Sequence, residues 1–398
     1  MATSTKTNRS TVAKNPNKKQ RESKKKLKLV IFGFELVVIL IMVGVLYLVI
    51  GVTDEIEPVH VTELDKNNIG ITQQVQQAAE TEGSSMYGYM NIALFGVDAK
   101  NEKELYKSSR SDSIMIASIN LDSGDIKLVS VYRDNYLYRG DDTYNKCNGA
   151  YAKGGAEQAV RMLNMNLDMD IKDFVTVGYA GLAEIIDGLG GIWIDVDKDE
   201  LKHINNYQYS IIGKYAKKYI TISSDLNFTP DDYFKDYEVV KVTEPGYQKL
   251  NGLQATAYCR IRYVGNDFVR TARQREVIKA IEDQAKQASV ATLIKVFESA
   301  ADDIYTSLDT ETIMELLPKI ANYKIVDEAE FPGRNDRVTV SMGAKGSCEV
   351  PKDLGLSVAR LHEFLFGDEQ YEVSDTVKDI SNQILKDASV YNSKIAEQ

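Results

Sequence analysis

The longest apolar run of the chain lies near its N-terminus and predicts a membrane-spanning helix. Residues 29–52 contain a single charge, Glu35. A helix of this length, at about 1.5 Å per residue, crosses a hydrocarbon core of roughly 30 Å. Glu35 lies near the start of the run, where a carboxylate can reach the headgroup region. A buried globular helix is the alternative for these residues.

The charges before this run predict its orientation. Residues 1–28 carry ten Lys or Arg and one acid, Glu22. Because basic residues favour the cytoplasmic side, we predict a basic cytoplasmic tail over 1–28, a single transmembrane helix over 29–52, and the bulk of the chain outside the membrane. A cleavable signal peptide is the alternative, but the apolar run is long and no small-x-small site follows it.

Net charge separates the tail from the remainder of the chain. The chain has a formal net charge of -10, and the tail contributes about +9, so the remainder carries about -19. A surface this acidic repels phosphate backbones, and no nucleic acid partner is expected. Anionic headgroups account for the basic tail, which makes membrane lipid an expected partner.

After the apolar run, the pattern becomes polar and then alternates. Residues 53–88 are rich in polar side chains and predict an extracytoplasmic linker or stem. Beyond them, short apolar runs alternate with helical spacing, which predicts an α/β fold with a mixed central sheet flanked by helices. The predicted strands are 91–95, 113–119, 126–132, 174–177 and 192–196, and the predicted helices include 156–163 and 180–187.

Two later regions interrupt or follow this alternation. Residues 198–247 are tyrosine-rich, and we interpret them as an insertion whose tyrosines either face an amphipathic ligand or pack in the core or on the surface. The motif-bearing domain is predicted over 89–289. Residues 290–398 carry no chemical motif and are interpreted as a C-terminal helical extension, with helix expected over 291–323.

Cysteine and histidine are too scarce to carry the chemistry. The three cysteines and three histidines are widely spaced, which gives no disulfide framework and no zinc pattern. A Ser-His-Asp triad is disfavoured for the same reason. The chemistry is therefore expected to rest on Asp, Glu and Arg.

Arginine is concentrated in one short segment. Five of the fourteen arginines fall within residues 260–275, a segment without lysine. Guanidinium binds phosphate oxygens bidentately and stays charged when partly desolvated. The cluster therefore predicts a phosphorylated ligand, with structural ion pairing as the alternative for each arginine taken singly.

Periodicity orients these arginines. A strand over 257–262 would point Arg260 and Arg262 to one face together. A helix over 268–286 would place Arg270, Arg273 and Gln274 on its inward stripe and leave Arg275 solvated. Inward charges need partners, so an anionic ligand or facing carboxylates should complete the site.

Carboxylates for such a site occur upstream, near the ends of predicted strands. Asp98 follows the first strand, and Asp112 precedes the second. Two carboxylates facing a pyrophosphate suit Mg²⁺, which prefers one or two protein oxygens together with substrate phosphates. Arg133 and Asp134, after the third strand, add a guanidinium and an orienting acid. A loop aspartate alone is weak evidence, because it is usually a turn or cap residue.

Taken together, these residues resemble the LytR-CpsA-Psr family of Gram-positive cell walls. The resemblance spans about 91–289 and rests on the order and spacing of several motifs. They are Phe95-Gly-Val-Asp98, Arg110-Ser-Asp112-Ser-Ile-Met115, Ser130-Val-Tyr-Arg133-Asp134, Lys146-Cys-Asn148-Gly-Ala-Tyr151, Asp187-Gly-Leu-Gly-Gly191, Leu250-Asn-Gly252, Arg260-Ile-Arg262 and Arg270-Thr-Ala-Arg273-Gln274. Tyr132 departs from the pattern, since proline is common there.

The resemblance implies a Mg²⁺-dependent phosphotransferase outside the membrane, with Mn²⁺ as a possible substitute. It would move a glycopolymer, of the teichoic acid or capsular polysaccharide type, from a polyprenyl-pyrophosphate carrier to peptidoglycan through a phosphodiester. Asp98 and Asp112 would hold the metal, and the predicted catalytic residues are Asp98, Asp112, Arg133 and Asp134. The predicted pyrophosphate ligands are Arg110, Arg133, Arg260, Arg262, Arg270, Arg273 and Gln274, and the polyprenyl tail would occupy an apolar tunnel between sheet and helices.

Two other functions stay open at this level. A polyprenyl-pyrophosphate or pyrophosphate hydrolase would use the same residues with water as acceptor. A membrane-anchored regulator of the cell envelope or of transcription attenuation would bind without catalysis. The proton acceptor is also open, because Asp112, Asp134 and the phosphate itself all qualify.

Overall fold

The computed structural model describes residues 60–99, 105–107, 109–212 and 238–392. The predicted tail and transmembrane helix lie outside these ranges, as do the first residues of the predicted stem and residues 213–237 of the predicted insertion. None of the helices within the described ranges combines the length and apolar character that a bilayer crossing requires.

A mixed sheet forms the centre of the fold. Its strands are β1 (His60–Val61), β2 (Tyr89–Val97), β3 (Ser111–Asn120), β4 (Asp125–Val131), β7 (Asp173–Val177), β10 (Ile304–Thr306) and β11 (Lys324–Phe331). Their order across the sheet is β1-β10-β7-β2-β3-β4-β11. β2 runs antiparallel to β3 and parallel to β7. The predicted mixed sheet is therefore confirmed.

Within the described ranges, three two-stranded ribbons accompany this sheet. They are β5 (Tyr136–Tyr138) with β6 (Tyr144–Lys146), β8 (Ile192–Val196) with β9 (Gly246–Leu250), and β12 (Arg337–Ser341) with β13 (Ser347–Pro351). The strand predicted at 192–196 forms as expected, but it pairs with β9 instead of joining the central sheet.

Helices cover both faces of the sheet. They are α1 (Gln73–Glu80), α2 (Gly149–Leu167), α3 (Tyr179–Gly188), α4 (Lys198–Ile211), α5 (Gly252–Cys259), α6 (Asp267–Ala285), α7 (Val290–Ala300), α8 (Thr310–Leu316), α9 (Leu354–Phe366) and α10 (Asp375–Ser389). The predicted helices at 156–163, 180–187 and 268–286 correspond to α2, α3 and α6. α2 is kinked at Gly155, whose φ is +67° and whose added Cβ would lie 2.7 Å from the Tyr106 carbonyl oxygen.

The C-terminal segment is part of the central fold, so its prediction as a helical extension is wrong. β10 and β11 both lie in the sheet, and β10 interrupts the helix expected over 291–323. α9 and α10 pack into the main hydrophobic core. The polar composition of residues 53–88 predicted a linker, but Ile69 and Val75 within this segment are buried in that core.

The two faces of the sheet bury different sets of residues. On β2, Ala93 and Phe95 belong to the core that α2, α9 and α10 cover. The alternate residue Leu94 points to the opposite face, since side chains alternate along a strand. On that opposite face, α3 and α6 enclose a cavity whose lining includes Leu94.

Candidate active site

A cavity of about 630 Å³ lies between the central sheet and helices α3 and α6. Its interior is apolar, with lining residues Leu94, Met115, Val175, Leu182, Ile185, Ile278 and Ile281. Its other end is polar, with lining residues Asp98, Asp112, Tyr179, Tyr207, Arg260, Arg262, Arg270 and Gln274. The cavity therefore joins an apolar interior to a charged mouth.

A β-bulge presents Asp112 at this mouth. Gly96 pairs with Ser113, but the next residue, Val97, pairs with Ser111, so Asp112 is the extra residue of the bulge. Bulges re-aim side chains and occur often beside active sites. Asp98, which follows Val97, lines the same mouth. The structure thus brings together the two carboxylates predicted to bind metal.

Two guanidinium groups hold the Asp112 carboxylate. Oδ1 lies 2.7 Å from Arg133 Nη1, and Oδ2 lies 3.0 Å from Arg262 Nη2. Arg270 Nη2 donates to the Asp112 backbone carbonyl at 3.4 Å. Burial would raise the pKa of Asp112, but the charges of Arg133, Arg270 and Arg262 hold that pKa below its usual range. Asp112 is therefore ionised and anchored.

Arg260 reaches the mouth from the end of a helix, so the strand predicted over 257–262 is wrong. α5 begins at a capping box in which Asn251 and Gln254 bond each other's backbone N–H. Every residue of α5 is buried. When all sides of a segment are buried, its apolar residues show no periodicity that would distinguish a helix from a strand. Arg260 follows as the C-cap.

Close packing of α5 on α3 fixes where Arg260 lies. A Cβ added at Gly252 would lie 2.2 Å from the Ala183 carbonyl oxygen, so this contact requires glycine. The Gly252 N–H also donates to Asp187 Oδ1 at 2.7 Å. At the other end of α5, the Arg260 guanidinium lies 4.5 Å from the Tyr179 ring centre, within cation–π range.

The charge of Arg260 is favoured despite its burial. Burial would lower the pKa of Arg260, but the Tyr179 and Tyr207 hydroxyls and the carboxylates of Asp98 and Asp112 raise it. Asp98 and Asp112, the two candidate metal ligands, thus both lie within electrostatic range of the Arg260 guanidinium. The mouth combines fixed positive charge with two carboxylates.

Arg270 is buried at the mouth with donors left over. α6 begins at Asn266, whose side chain accepts from two backbone N–H groups of the first turn. One turn on, Arg270 is 2% exposed, and its Nη2 lies 2.7 Å from Asp267 Oδ1. Its Nε and Nη1 have no hydrogen-bond acceptor among the described residues. Burial lowers the pKa of Arg270, which an anion in the cavity would counter.

Arg273 does not reach the cavity. Its Nε lies 2.6 Å from Glu200 Oε1, and its other nitrogens donate to the carbonyls of Ile261 and Val264. It therefore holds the loop that carries Arg262 instead of lining the site. Arg275 also differs from its prediction, since it is not solvated: it pairs with Glu328 and donates to Ser130 Oγ.

The remaining predicted residues lie around the mouth or outside it. Arg133 contacts Asp112 but does not line the cavity. Asp134 lies 2.9 Å from Lys146 Nζ, away from the lining. Arg110 is exposed and also outside the lining.

Two site residues escaped the sequence reasoning. Asp267 Oδ1 lies 2.7 Å from Arg270 and 3.6 Å from Arg133, and its spacing of three residues before Arg270 was the available signal. Tyr179 follows β7, a parallel neighbour of β2, where ligand crevices of α/β sheets open. Tyr207, from the predicted insertion, lines the cavity and also packs against buried apolar residues, so it fits both interpretations of that segment.

An α/β fold with an apolar cavity and a mouth of arginines and carboxylates defines a protein suited to amphipathic anions. The sequence model described as the LytR_cpsA_psr family matches residues 59–349. The chain belongs to this family, and the resemblance seen in the sequence is confirmed.

Individual relatives of this chain have low sequence identity to it. The chain is 29% identical over 208 residues to the polyisoprenyl-teichoic acid–peptidoglycan teichoic acid transferase TagV of Bacillus subtilis, covering 51% of this chain and 46% of that protein. It is 27% identical over 230 residues to the enzyme of the same description, TagU, from Enterococcus faecalis, covering 57% and 64%. The chain thus spans about half to two thirds of these relatives.

A solved structure shares the fold. The LytR-CPS2A-psr family protein YwtF (TagT) with bound octaprenyl pyrophosphate lipid matches with a TM-score of 0.52 at 18% sequence identity. The match covers 78% of this chain and 100% of that one.

Proposed function

We propose that this protein is an extracytoplasmic phosphotransferase that moves a glycopolymer from a polyprenyl-pyrophosphate carrier to peptidoglycan. The observation that carries the proposal is the cavity of about 630 Å³, apolar within and lined by arginines and carboxylates at its mouth. Polyprenyl pyrophosphate has the same division, a hydrocarbon tail and a charged head. The names of the relatives and the lipid bound by TagT support this choice of substrate.

In this proposal, the pyrophosphate binds at the mouth. Arg260, Arg262, Arg270 and Gln274 would donate to its oxygens, and the vacant donors of Arg270 would gain acceptors. The isoprenoid would extend along Leu94, Met115 and Val175, where burial of apolar surface favours it. Arg110, exposed two residues before Asp112, would meet phosphate oxygens outside the cavity.

The carboxylate pair fits a divalent metal. Asp98 and Asp112 line one mouth and supply hard oxygen ligands, and no group of three metal-ligating side chains occurs in the described residues. That donor set suits Mg²⁺ or Mn²⁺ completed by substrate phosphates. When bound there, the ion would neutralise charge on the phosphoryl oxygens. Arg133 would keep Asp112 oriented toward it.

The reaction is a displacement at the phosphorus that bears the glycopolymer. The acceptor hydroxyl oxygen forms a new P–O bond, and the bond from that phosphorus to the bridging oxygen breaks. Polyprenyl phosphate leaves with the bridging oxygen. The arginines would stabilise the charge that spreads over the phosphoryl oxygens, which is the main demand of phosphoryl transfer.

The hydroxyl proton would pass to a non-bridging phosphate oxygen. Asp112 is a poor base, since Arg133, Arg270 and Arg262 outweigh burial and hold its pKa low. Asp134 is engaged by Lys146. Asp134 would orient Arg133, whose Nε lies 3.7 Å from Asp134 Oδ2.

We further propose a single-pass anchor at residues 29–52, with the catalytic domain on the outer side of a Gram-positive membrane. The apolar run and the basic residues before it support this topology. Protease treatment of intact protoplasts should remove the catalytic domain and spare the tail. Full protection of the domain would contradict the topology.

The activity is tested with purified full-length protein, a polyprenyl-pyrophosphate-linked teichoic acid precursor and peptidoglycan. We expect polyprenyl phosphate release coupled to a phosphodiester product, with loss of both on EDTA treatment. Arg262→Lys should retain the charge yet lose about tenfold or more of the turnover, because an ammonium cannot form two parallel bonds. Release that proceeds equally without peptidoglycan would identify a hydrolase instead.

A further inference from the structure

A second, polar cleft of about 390 Å³ lies against the first turn of α6. Phe268 and Val269 form one wall, and Glu330, Arg334, Thr339 and Glu349 form the other. We name it the side cleft. It shares no lining residue with the cavity described above.

The side cleft and the reaction site are joined through adjacent residues. Asp267 contacts Arg270 and Arg133 in the site, while its neighbour Phe268 lines the cleft. Arg133 contacts Asp112, while its neighbour Tyr132 packs edge-on against Phe268 with ring centres 4.6 Å apart. Of these residues, Phe268 lines the cleft and Tyr132 packs against it, while Asp267 and Arg133 belong to the ion pairs around Asp112 and Arg270.

A buried arginine makes this junction rigid. The Arg337 guanidinium lies 4.1 Å from the Phe268 ring centre and 4.4 Å from that of Tyr132. It also pairs with Glu330 at 3.4 Å and with Glu349 at 3.6 Å. The cleft wall is therefore a fixed surface, which limits the entropy lost on binding.

Charge distinguishes the ligands of the two sites. The side cleft has two carboxylates, Glu330 and Glu349, balanced by the guanidinium groups of Arg334 and Arg337. The cavity mouth has an excess of arginine and suits an anion. A balanced set of acceptors and donors beside an aromatic ring suits an uncharged polyhydroxyl and acetamido ligand instead.

We propose that the side cleft binds the peptidoglycan glycan strand and presents its hydroxyl to the phosphate at the cavity mouth. This inference rests on the proposed phosphotransfer for the identity of the acceptor. The anionic glycopolymer is disfavoured as the occupant, because the cleft lacks the excess positive charge that a polyphosphate chain requires.

The test compares two substitutions on one strand of the full-length protein. Thr339→Tyr should obstruct the cleft, whereas Ser341→Tyr adds the same side chain two residues further along β12, outside the lining. Arg334→Ala, at an exposed residue, removes a donor without adding bulk. The probes are a peptidoglycan glycan oligosaccharide whose lactyl carboxyls are blocked as amides, so that it carries no charge, and, separately, a poly(glycerol phosphate) chain.

Binding is measured without lipid donor, and turnover is measured separately. We expect Thr339→Tyr and Arg334→Ala to weaken oligosaccharide binding about tenfold, a change of roughly 1.4 kcal/mol, and to raise the acceptor KM while the KM for the lipid donor is unchanged. Ser341→Tyr should match the wild type. Equal oligosaccharide affinity in all proteins, or weakened binding of poly(glycerol phosphate) alone, overturns the assignment. Absent lipid turnover in the wild type would refute the phosphotransfer, while a binding loss confined to the cleft variants would still support the cleft.

Discussion

Arg270 and Arg273 lie one turn apart on α6 and have opposite surroundings. Both are buried, with 2% and 3% of their surfaces exposed. Arg273 contacts Glu200 at 2.6 Å and donates to two backbone carbonyls. Arg270 contacts Asp267 at 2.7 Å and lines the cavity, and its Nε and Nη1 have no acceptor within the described ranges.

This difference separates a structural charge from a binding charge. A buried cation whose donors all meet internal acceptors stabilises the protein geometry around it. One with vacant donors beside a cavity is completed by a ligand, because an unsatisfied buried donor costs free energy. Burial and motif membership alone do not distinguish these two arginines.

The strongest test of the structural charge is Arg273→Met. Removing this guanidinium leaves Glu200 buried and uncompensated, so the free energy of unfolding should fall by about 3–5 kcal/mol. Chemical denaturation measures the change. Arg273→Met combined with Glu200→Gln removes the stranded charge and should recover part of the loss. A change below about 1 kcal/mol in the single variant would contradict the structural role.

Arg270→Met tests the binding charge on the same helix. Removal of one charge-stabilising donor typically costs about 10²–10³-fold in turnover, and we expect a loss of about 100-fold in lipid pyrophosphate cleavage. The free energy of unfolding should change much less than in Arg273→Met, because Asp267 keeps Arg133 as a partner. Unaltered turnover with a large loss of stability would erase the contrast between the two arginines.

Gly252→Ala sharpens the comparison by moving the helix that carries Arg260. The added methyl would overlap the Ala183 backbone, so we expect a loss of about 1–3 kcal/mol and weaker binding of lipid pyrophosphate. Gly355→Ala, in α9, is the matched control, since its Cβ would meet no atom closer than 3.3 Å. Equal effects of the two substitutions would show that the α5–α3 contact does not position the site.

Both arginines stay charged at acidic pH. A loss of stability in acid should therefore come from another group. Burial lowers the pKa of His362 to about 4, below its ordinary value of 6.5. The unfolded chain then binds the proton first, and stability falls as the pH drops from about 6.5 toward 4. A group whose pKa is raised by folding would change the stability in the opposite direction, because its contribution is lost as the pH rises.

Denaturation at several pH values checks this. Between pH 6.5 and 5, the wild type should lose about 1.6 kcal/mol more than His362→Phe, at up to about 1.4 kcal/mol per pH unit. Arg270→Met and Arg273→Met should follow the wild-type slope. A steeper loss in either arginine variant would mean that α6 itself contains the acid-sensitive group.

The sequence was informative where a local pattern suffices. Short apolar runs located β2, β3, β4 and β7, and Asp98 and Asp112 meet at one mouth because Asp98 follows β2 and Asp112 is the bulge residue of its antiparallel neighbour β3. Sequence reasoning failed at α5, where burial on all sides removes the periodic signal. It also failed at β10 and β11, whose partners lie more than a hundred residues away.

By itself, the sequence determined the composition of the site: an arginine segment, two carboxylates at strand ends and apolar runs able to enclose a hydrocarbon tail. Only the tertiary structure decided that Arg270 lines the cavity and Arg273 does not. The carboxylate that neutralises Arg273 comes from Glu200, 73 residues away in the chain. The physical reason is that a buried charge takes its role from the acceptors around it, and folding alone brings those acceptors into place.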